Sequence, residues 1–450
     1  MHQAVPQDYQ GAALPQLLAE HARTYATRTA LVHGDRRLTY RELNRRVDRV
    51  AGGLTLRGIR PGDRVIVQLP TVPEFVITVY ALMRAGALPV FVPTSHRADE
   101  IGYLAHTTEA AAYIGPSVHH GFDHAKMAAE ISHDNPRLRR AFTHDGPEGV
   151  QGGFATSPSG CLFFPLRSVD APSDPDRRYD PNDVAFFLLS EGSTSAPKLV
   201  PRTHNDYAYQ TRAAAEVIGL GPEDVYLAAL PAESNFAFGC PGIVGTLATG
   251  GTVVLIDDPG PADAFRMIET EKVTVTSLVP AVAQLWLDTF RNGQYSLSSL
   301  RLIQIGGARL RPERAARIQQ AFDCRLQQVF GMAEGLLCLT HLSDTDDVIH
   351  HTQGRPLSPG DEIRITDSDG TDVPAGTPGQ LWTRGPYTLR GYYKAPDENT
   401  RAFTPDGFYK TDHIARLTED DNLVIEGRME ADSGLASPGN PHAETVMSED

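Results

Sequence analysis

The segment Leu188-Leu-Ser-Glu-Gly-Ser-Thr-Ser-Ala-Pro-Lys198 contains the residue types that bind phosphate. It follows an apolar run that we predict to be a buried strand. Its small residues allow the backbone to approach a polyphosphate, and its N–H groups, the Ser193 and Thr194 hydroxyls and the Lys198 ammonium can donate to phosphate oxygens. The segment does not match GxxxxGK[ST]. Taken alone, it is equally compatible with a Ser/Thr-rich surface turn.

Alternating apolar runs and helical patterns predict the framework that positions this segment. Residues 64–69 are expected to form a buried strand, Glu74 to Ala85 a helix that ends at Gly86, and residues 87–92 the next strand. This order and spacing are typical of a βαβ unit with parallel strands. Similar strands are expected at 184–189, 250–256, 273–279 and 302–305, with helices at 261–270 and 311–322. The predicted fold class is α/β, with parallel-rich sheets and flanking helices.

The sequence pattern changes after about Val348. Residues 361–366, 379–384 and 422–426 alternate apolar and polar side chains, as antiparallel strands with one solvent-facing side do. We therefore predict α/β subdomains over residues 1–347 and a small β-barrel-like subdomain over 348–430. Residues 146–175 are rich in Gly, Pro and Ser and are predicted to be loop, and residues 431–450 to be a disordered tail.

The composition excludes several functions. The 450 residues are 41% hydrophobic and carry a net charge of −15 without a basic run, which argues against nucleic acid as a partner. Four scattered cysteines do not form a disulfide framework or a CxxC metal site and suit a reducing cytosol. No signal peptide is visible, and the most apolar region, 65–93, is interrupted by prolines and charges. A cytoplasmic protein without membrane contact is expected.

Several motifs, in order along the chain, resemble those of the acyl-adenylate-forming enzymes. Besides the 188–198 segment with Pro201-Arg-Thr-His204, they are Leu38-Thr-Tyr-Arg-Glu-Leu43, Tyr226-Leu-Ala-Ala-Leu-Pro231, Gly306-Gly-Ala308, Gln328-Val-Phe-Gly-Met-Ala-Glu334, residues 379–386, Gly391-Tyr392 and Gly427-Arg428. The set is most similar to aryl-acid–AMP ligases that activate 2,3-dihydroxybenzoate or salicylate. The resemblance implies that an aryl carboxylate attacks the α-phosphate of ATP, with Mg²⁺, to give an acyl adenylate and pyrophosphate, and that residues 1–347 bind the acid and ATP.

The resemblance also implies roles for individual residues around the nucleotide. Lys198, His204 and Glu334 would be catalytic, with Thr194 and Glu334 holding Mg²⁺. The implied ATP-binding residues are Ser190, Gly192, Ser193, Thr194, Gly306, Gly307, Ala308, Val329, Phe330, Gly331, Met332, Ala333, Asp412, His413 and Arg428. Without the resemblance, His204 fits a structural hydrogen-bonding residue, Glu334 a solvated carboxylate, and the paired glycines a tight turn.

By the same resemblance, residues 232–242 belong to an aryl-acid pocket. Its implied lining is Ser234, Asn235, Phe236, Cys240, Gly307, Gly331 and Leu337. Asn235 matches the asparagine that hydrogen-bonds the ortho substituent, and an amide can serve a hydroxyl or an amino group. Phe236 could stack on the ring. Cys240 and Leu337 occupy positions where these residues accompany salicylate, although Cys240 alone also fits a small buried hydrophobe. Salicylate-like acids are expected first and anthranilate-like acids second.

The chain departs from the family pattern at four places. Glu191 and Ser195 replace glycines of the phosphate loop, and a carboxylate at 191 would repel phosphate unless it turns outward or binds the metal. Ser234 replaces a histidine of the acid pocket. The family's Tyr-Arg-Thr-Gly-Asp reads Tyr409-Lys-Thr-Asp-His413, so either Asp412 or His413 would meet the ribose. We expect weakened ATP binding or a shifted loop.

The fourth departure is at the C-terminus. The chain ends 22 residues after Arg428, where the family continues into a mobile domain with a catalytic lysine, and we interpret this as natural loss. Transfer to a carrier-protein thiol would then be weak, and a non-thiol or external nucleophile would take the acyl group. The alternative is a catalytically decayed protein that binds an adenylate or an aryl acid. A homodimer remains one alternative for the oligomeric state, and a dinucleotide enzyme is disfavoured because no GxGxxG follows the early strands.

Overall fold

The computed structural model describes residues 11–145, 155–174, 177–190, 197–291, 294–429 and 436–438. The strands are β1 (Thr29–His33), β2 (Arg36–Thr39), β3 (Arg64–Val67), β4 (Leu88–Phe91), β5 (Ala112–Pro116), β6 (Val118–His119), β7 (Phe122–Asp123), β8 (Arg140–His144), β9 (Ala155–Thr156), β10 (Leu162–Pro165), β11 (Val184–Leu189), β12 (Leu199–Thr203), β13 (Val225–Ala228), β14 (Thr252–Leu255), β15 (Val275–Leu278), β16 (Leu302–Gly306), β17 (Arg325–Gly331), β18 (Leu337–Leu339), β19 (Arg355–Pro356), β20 (Glu362–Thr366), β21 (Gly379–Arg384), β22 (Tyr409–Leu417), β23 (Leu423–Met429) and β24 (Ala436–Pro438).

The helices are α1 (Leu14–Thr24), α2 (Tyr40–Leu56), α3 (Pro73–Ala85), α4 (Ala98–Thr108), α5 (His124–Asp134), α6 (His204–Val217), α7 (Asn235–Gly239), α8 (Gly242–Ala248), α9 (Pro261–Glu271), α10 (Pro280–Thr289), α11 (Pro312–Phe322), α12 (Asp346–His351) and α13 (Pro396–Ala402). Within the described part of the chain, no helix is long and apolar enough to cross a bilayer.

Two large, mostly parallel sheets confirm the predicted α/β class. One has the order β19-β18-β17-β16-β15-β13-β14-β1-β2, and the other β12-β11-β4-β3-β5-β8-β10-β9. Helix α3 shows how the sequence builds this architecture. Pro73 starts it, Gly86 ends it in the left-handed region at φ +71°, and nearly every side chain between them is buried. A helix that is apolar all round must lie between other elements of the core.

The C-terminal strands form a third sheet with the order β20-β21-β22-β23-β24, antiparallel throughout. The antiparallel pairing agrees with the alternating sequence pattern, and the described residues form an open sheet, not a closed barrel. The boundaries at 347 and 430 stay predictions. Within the predicted tail, the backbone of β24 pairs with Gly427–Met429.

The loop predicted over 146–175 is partly wrong. Residues 146–154 lie outside the described part of the chain, but β9 and β10 follow, and β10 pairs in parallel with β8. Phe164 of β10 is buried and its ring lies 5.5 Å from that of Phe142. The Gly, Pro and Ser content of the region led to the loop prediction, although Phe164 of this short strand packs with Phe142 in the core.

Candidate active site

The predicted phosphate-binding segment connects two paired strands, β11 and β12. Strands β11 and β12 pair antiparallel, and beyond them Ser190 N donates to Lys198 O over 2.9 Å, while Lys198 N donates to Ser190 Oγ over 3.1 Å. These two bonds extend the pairing of the strands by one residue pair and fix the backbone position of Lys198. The residues between, including the predicted Gly192, Ser193 and Thr194 and the departures Glu191 and Ser195, lie outside the described residues.

The Lys198 ammonium group lies between an acidic and an aromatic side chain. Its Nζ is 2.9 Å from Glu398 Oε1 on α13 and 4.7 Å from the centre of the Tyr392 ring. Arg401 binds the other oxygen of Glu398 over 2.8 Å. The hydrogen bond from Lys198, followed by that from Arg401, lowers the pKa of Glu398. Since both partners in the Lys198–Glu398 pair are about 30% exposed, with side-chain values of 31% and 29%, an anion can reach the ammonium from solvent.

Glu334 lies on the other side of the same tyrosine. Its carboxylate is 7% exposed and accepts a hydrogen bond from Tyr392 Oη over 2.8 Å. Tyr392 Oη also lies 2.8 Å from Tyr409 Oη, and burial, followed by the charge of Glu334, raises the pKa of both phenols. The structure therefore brings Lys198 and Glu334 to one side chain, Tyr392, with Lys198 over its ring and Glu334 at its hydroxyl group. A nearly buried carboxylate near the predicted phosphate-binding residue Lys198 fits a Mg²⁺ ligand, because Mg²⁺ takes hard oxygens and is shared with phosphates.

His204 is the first residue of α6. Thr203 caps this helix by accepting from Asp206 N, so His204 is held next to β12. The imidazole is 5% exposed, and its Nδ1 has no hydrogen-bond partner among the described residues. Burial lowers its pKa to about 4. His204 is therefore neutral near pH 7 and contributes no charge to phosphate binding.

Acid should destabilise the protein through His204. An unfolded histidine titrates near 6.5 and the folded one near 4, so the unfolded state binds more protons between these values and stability falls as the pH drops through this window. At pH 5 the cost is about 2 kcal/mol for this residue. We expect the loss of unfolding free energy between pH 7.5 and 5 in urea titrations to be smaller in His204→Asn than in the unsubstituted protein. An equal loss in both would contradict the assignment.

Asp412 and His413 lie on opposite faces of β22. The Asp412 side chain is exposed, with Oδ1 3.2 Å from His413 Nδ1, whereas His413 is buried with its ring 5.0 Å from that of Phe330. Burial lowers the pKa of His413 to about 4, which Asp412 opposes and Arg428 reinforces. Of the two, Asp412 is the residue that offers an exposed charged acceptor for ribose hydroxyls. Arg428 is exposed on β23, and its backbone lies opposite that of His413 in the antiparallel pairing of β22 with β23.

The predicted adenine turn follows β16. Gly307 has φ +82°, which favours glycine, and both Gly307 and Ala308 are exposed. A Cβ at Gly306 would lie 2.5 Å from Val329 O and 3.1 Å from Phe236 Cε1. Glycine at this position therefore lets β17 and the Phe236 ring approach the turn. Along and after β17, Val329, Phe330, Met332 and Ala333 are buried, while Gly331 is exposed.

The predicted acid-pocket residues meet at α7. Asn235 Nδ2 donates to Met332 O over 3.1 Å, which links α7 to the segment that leads to Glu334. Cys240 and Leu337 are buried in one cluster with Val329, and Phe236 packs against it while half-buried. A Cβ at Gly331 would lie 2.4 Å from Leu337 Cδ2, so these two are also in contact.

Two of these side chains are engaged with the protein itself. Ser234 caps α7 through a bond from Ala237 N to its Oγ, 3.2 Å long, so its hydroxyl has a structural role. Cys240 Sγ donates to Asn235 O over 3.3 Å, and burial raises its pKa to about 12. The thiol is therefore protonated and contributes an apolar surface, not a nucleophile.

Sequence reasoning missed several residues that connect the site. Arg202 lay inside the Pro201-Arg-Thr-His204 motif and Tyr392 inside Gly391-Tyr392, so a signal was present for both. Tyr207 and Gln210 are three residues apart on α6 and share a face of the helix. This spacing indicates that they could contact a common partner, but it does not identify that partner. Nothing in the sequence singles out Glu398, whose partner Lys198 is 200 positions away.

The residues predicted for the acid and for the nucleotide are linked through the Asn235–Met332 and Glu334–Tyr392 hydrogen bonds. Comparison with known proteins identifies the family of the chain. Residues 18–393 match the family model described as AMP-binding enzyme. The chain belongs to the AMP-binding enzymes. It is 46% identical over 418 residues to the 2,3-dihydroxybenzoate-AMP ligase of Bacillus subtilis, covering 93% of this chain and 75% of that protein.

Two further relatives place this AMP-binding enzyme in the same group. It is 43% identical over 426 residues to the salicyl-AMP ligase / salicyl-S-ArCP synthetase of Mycobacterium tuberculosis, covering 94% of this chain and 74% of the relative. The apo structure of Mycobacterium smegmatis MbtA superposes with a TM-score of 0.86 at 42% identity, covering 94% of this chain and 77% of that one. The chain thus spans about three quarters of the length of these relatives.

In this AMP-binding enzyme, Glu398 should compete with ATP for Lys198. Nucleotide phosphates must share or displace the ion pair, and a half-buried pair of this kind stabilises by up to about 1 kcal/mol. We expect Glu398→Gln to lower the KM for ATP about three- to fivefold in a pyrophosphate-release assay. Glu130→Gln removes the carboxylate 3.9 Å from Lys126 on α5 and should leave this KM unchanged. A higher KM in Glu398→Gln would show that the pair positions Lys198 instead.

Proposed function

We propose that this enzyme adenylates a 2-substituted aryl acid, salicylate-like first and anthranilate-like second, using ATP and Mg²⁺. The carboxylate attacks the α-phosphate of ATP, the bond between the α- and β-phosphates breaks, and acyl-AMP and pyrophosphate are the products. The observation that carries the proposal is the contact between Asn235 and Met332 O. It joins the proposed acid pocket to the segment that ends at Glu334. The Glu334 carboxylate accepts from the hydroxyl group of Tyr392, and Lys198 lies over the ring of the same tyrosine.

The character of the acid pocket supports an aromatic acid. Phe236 and Asn235 are half-buried neighbours, and the buried apolar side chains of Cys240 and Leu337 belong to the cluster against which Phe236 packs. Such a combination of apolar lining and few polar groups is typical of small-molecule sites. The named activities of the relatives, on 2,3-dihydroxybenzoate and salicylate, agree with this class of substrate.

The nucleotide side supports positioning and charge neutralisation. Lys198 is placed to bind phosphate oxygens after it leaves Glu398, and Glu334 would hold Mg²⁺, which screens the phosphate charge. Asp412 would accept from the ribose, and the turn at Gly306 and Gly307 would lie against the adenine. No covalent enzyme intermediate is needed, since the substrate carboxylate is itself the nucleophile.

The direct test is ATP-dependent pyrophosphate release with a panel of acids. Salicylate should stimulate release and unsubstituted benzoate should stimulate it much less. Hydroxylamine added to the reaction should trap the adenylate as salicylhydroxamate. Binding of salicylate and ATP in calorimetry without pyrophosphate release would indicate the decayed binding protein instead.

Replacing Asn235 by alanine tests the pocket assignment. The variant loses the hydrogen bond to the ortho substituent, so kcat/KM for salicylate should fall about tenfold. Benzoate has no ortho group and serves as the internal control, with little change in kcat/KM. An equal loss for both acids, measured by pyrophosphate release, would show that Asn235 supports the fold of the pocket and not substrate choice.

We further propose that the adenylate made by the 450-residue chain passes to a non-thiol or external nucleophile, an amine or a hydroxyl. Incubation with ATP, salicylate and either a simple amine or a phosphopantetheinylated carrier protein distinguishes the acceptors. Amide formation without carrier loading supports the proposal, and rapid carrier loading contradicts it.

A further inference from the structure

We propose that Arg202 and Gln210 are positioning residues that fix the amide of Asn235 in one orientation, so that the pocket offers an N–H donor to the ortho substituent of the acid. This orientation selects an acid with an oxygen at that position over one with an amino group. The inference rests on the proposed function and narrows its substrate class.

Arg202 is fully buried. Its Nη2 donates to Gln210 Oε1 over 2.8 Å, and its other nitrogens donate to Asp206 Oδ1 over 3.0 Å and Ala333 O over 3.2 Å. A guanidinium group has donors and no acceptor. The oxygen of Gln210 must therefore face Arg202, and its NH₂ group must face the other way.

The orientation of Gln210 determines that of Asn235. Gln210 Nε2 lies 3.3 Å from Asn235 Oδ1 and donates to Gly239 O over 2.9 Å, while Tyr207 Oη donates to Asn235 Oδ1 over 3.1 Å. On its other side, Asn235 Nδ2 donates to Met332 O, a carbonyl that can only accept. A rotated amide would bring two NH₂ groups together at Gln210 and two oxygens together at Met332. Both ends of the chain of hydrogen bonds thus enforce the same orientation.

This orientation leaves a defined group for the substrate. The carbonyl of Asn235 already accepts from Tyr207 and Gln210, and one hydrogen of its NH₂ group goes to Met332 O. The second hydrogen has no partner among the described residues, and Asn235 is only half-buried beside Phe236. The pocket therefore presents a donor.

A donor discriminates between the two substituents on chemical grounds. The oxygen of a 2-hydroxyl or phenolate group accepts an N–H bond readily. The nitrogen of a 2-amino group shares its lone pair with the ring and mainly donates, and its N–H groups would meet another N–H. A buried polar group left without a partner is costly. The aryl acid with a 2-amino group should therefore be the poorer substrate.

The test compares salicylate with anthranilate in full-length variants. Gln210→Glu keeps the shape and the contact with Arg202 but replaces the donor to Asn235 by an acceptor, which favours the rotated amide. Gln210→Met removes the donor without adding a charge. The readout is the ratio of kcat/KM for salicylate to that for anthranilate, together with the ratio of their dissociation constants from calorimetry. Gln284→Glu, on the surface of α10, is the matched control.

We expect the salicylate preference to fall about tenfold or more in Gln210→Glu and by a smaller factor in Gln210→Met, with the KM for ATP within about twofold of its original value. A purely structural role would lower both acids equally and leave the ratios unchanged, which overturns the inference. If one variant fails to fold, as judged by its thermal melting curve, the ratio in the other decides. If the unsubstituted enzyme adenylates no aryl acid, the proposed function fails, whereas the ratio of dissociation constants still decides on the orientation of Asn235.

Discussion

Lys198→Ala should lower kcat/KM for adenylation about 100- to 1,000-fold. The bonds to Ser190 fix the backbone position of Lys198, and the present partners of its ammonium are Glu398 and the face of Tyr392. Lys198 would neutralise charge on the phosphates as pyrophosphate leaves, and a preorganised cation of this kind acts mainly on the transition state. The loss should therefore appear in kcat as well as in the KM for ATP.

The measurement is pyrophosphate release at saturating salicylate with ATP varied. Lys394→Ala is the matched control, because Lys394 is also paired with a carboxylate, 3.2 Å from Glu109, and lies 5.5 Å from the centre of the Tyr393 ring. It should retain activity within about twofold, as expected for an exposed ion pair. Equal activity in Lys198→Ala and Lys394→Ala would remove Lys198 from the phosphate site.

Glu334→Gln should reduce kcat about 100-fold and raise the Mg²⁺ concentration needed for half-maximal rate. The amide oxygen of glutamine can still accept from Tyr392, so the fold around the residue should be kept. What is lost is the negative charge that would attract a Mg²⁺ ion to this residue. The decisive readout is a Mg²⁺ titration of the rate at fixed ATP.

The exposed Glu419 lies between β22 and β23, and Glu419→Gln provides the control for loss of one carboxylate. It should titrate with Mg²⁺ as the unsubstituted enzyme does. If Glu334→Gln lost activity without any change in its Mg²⁺ requirement, Glu334 would act through Tyr392 and Tyr409 and not through the metal.

The strands around the site could be predicted because their sequence pattern is local. Residues 184–189 and 379–384 were predicted as strands and form β11 and β21 with the same bounds. Apolar runs bounded by turn residues determine such elements without knowledge of their neighbours. The open form of the third sheet depends on which strands become neighbours, and the alternating pattern does not encode that.

The site was predictable only where a motif named its residues. Lys198 and Glu334 are 136 positions apart in the sequence, and the structure brings both to Tyr392. The partners that orient them were not predictable, because Arg202 reaches Ala333 O across 131 positions and its burial has no local signature. In the structure, Arg202 is a buried donor to Asp206, Gln210 and Ala333.

The two hydrogen bonds between Ser190 and Lys198 have a consequence for variation in this enzyme. Ser190 and Lys198 are bonded to each other through backbone and hydroxyl groups, so Ser190 holds the backbone of Lys198 in addition to the pairing of β11 with β12. A substitution at Ser190 therefore also affects the position of the Lys198 ammonium, because Ser190 Oγ accepts the hydrogen bond from Lys198 N.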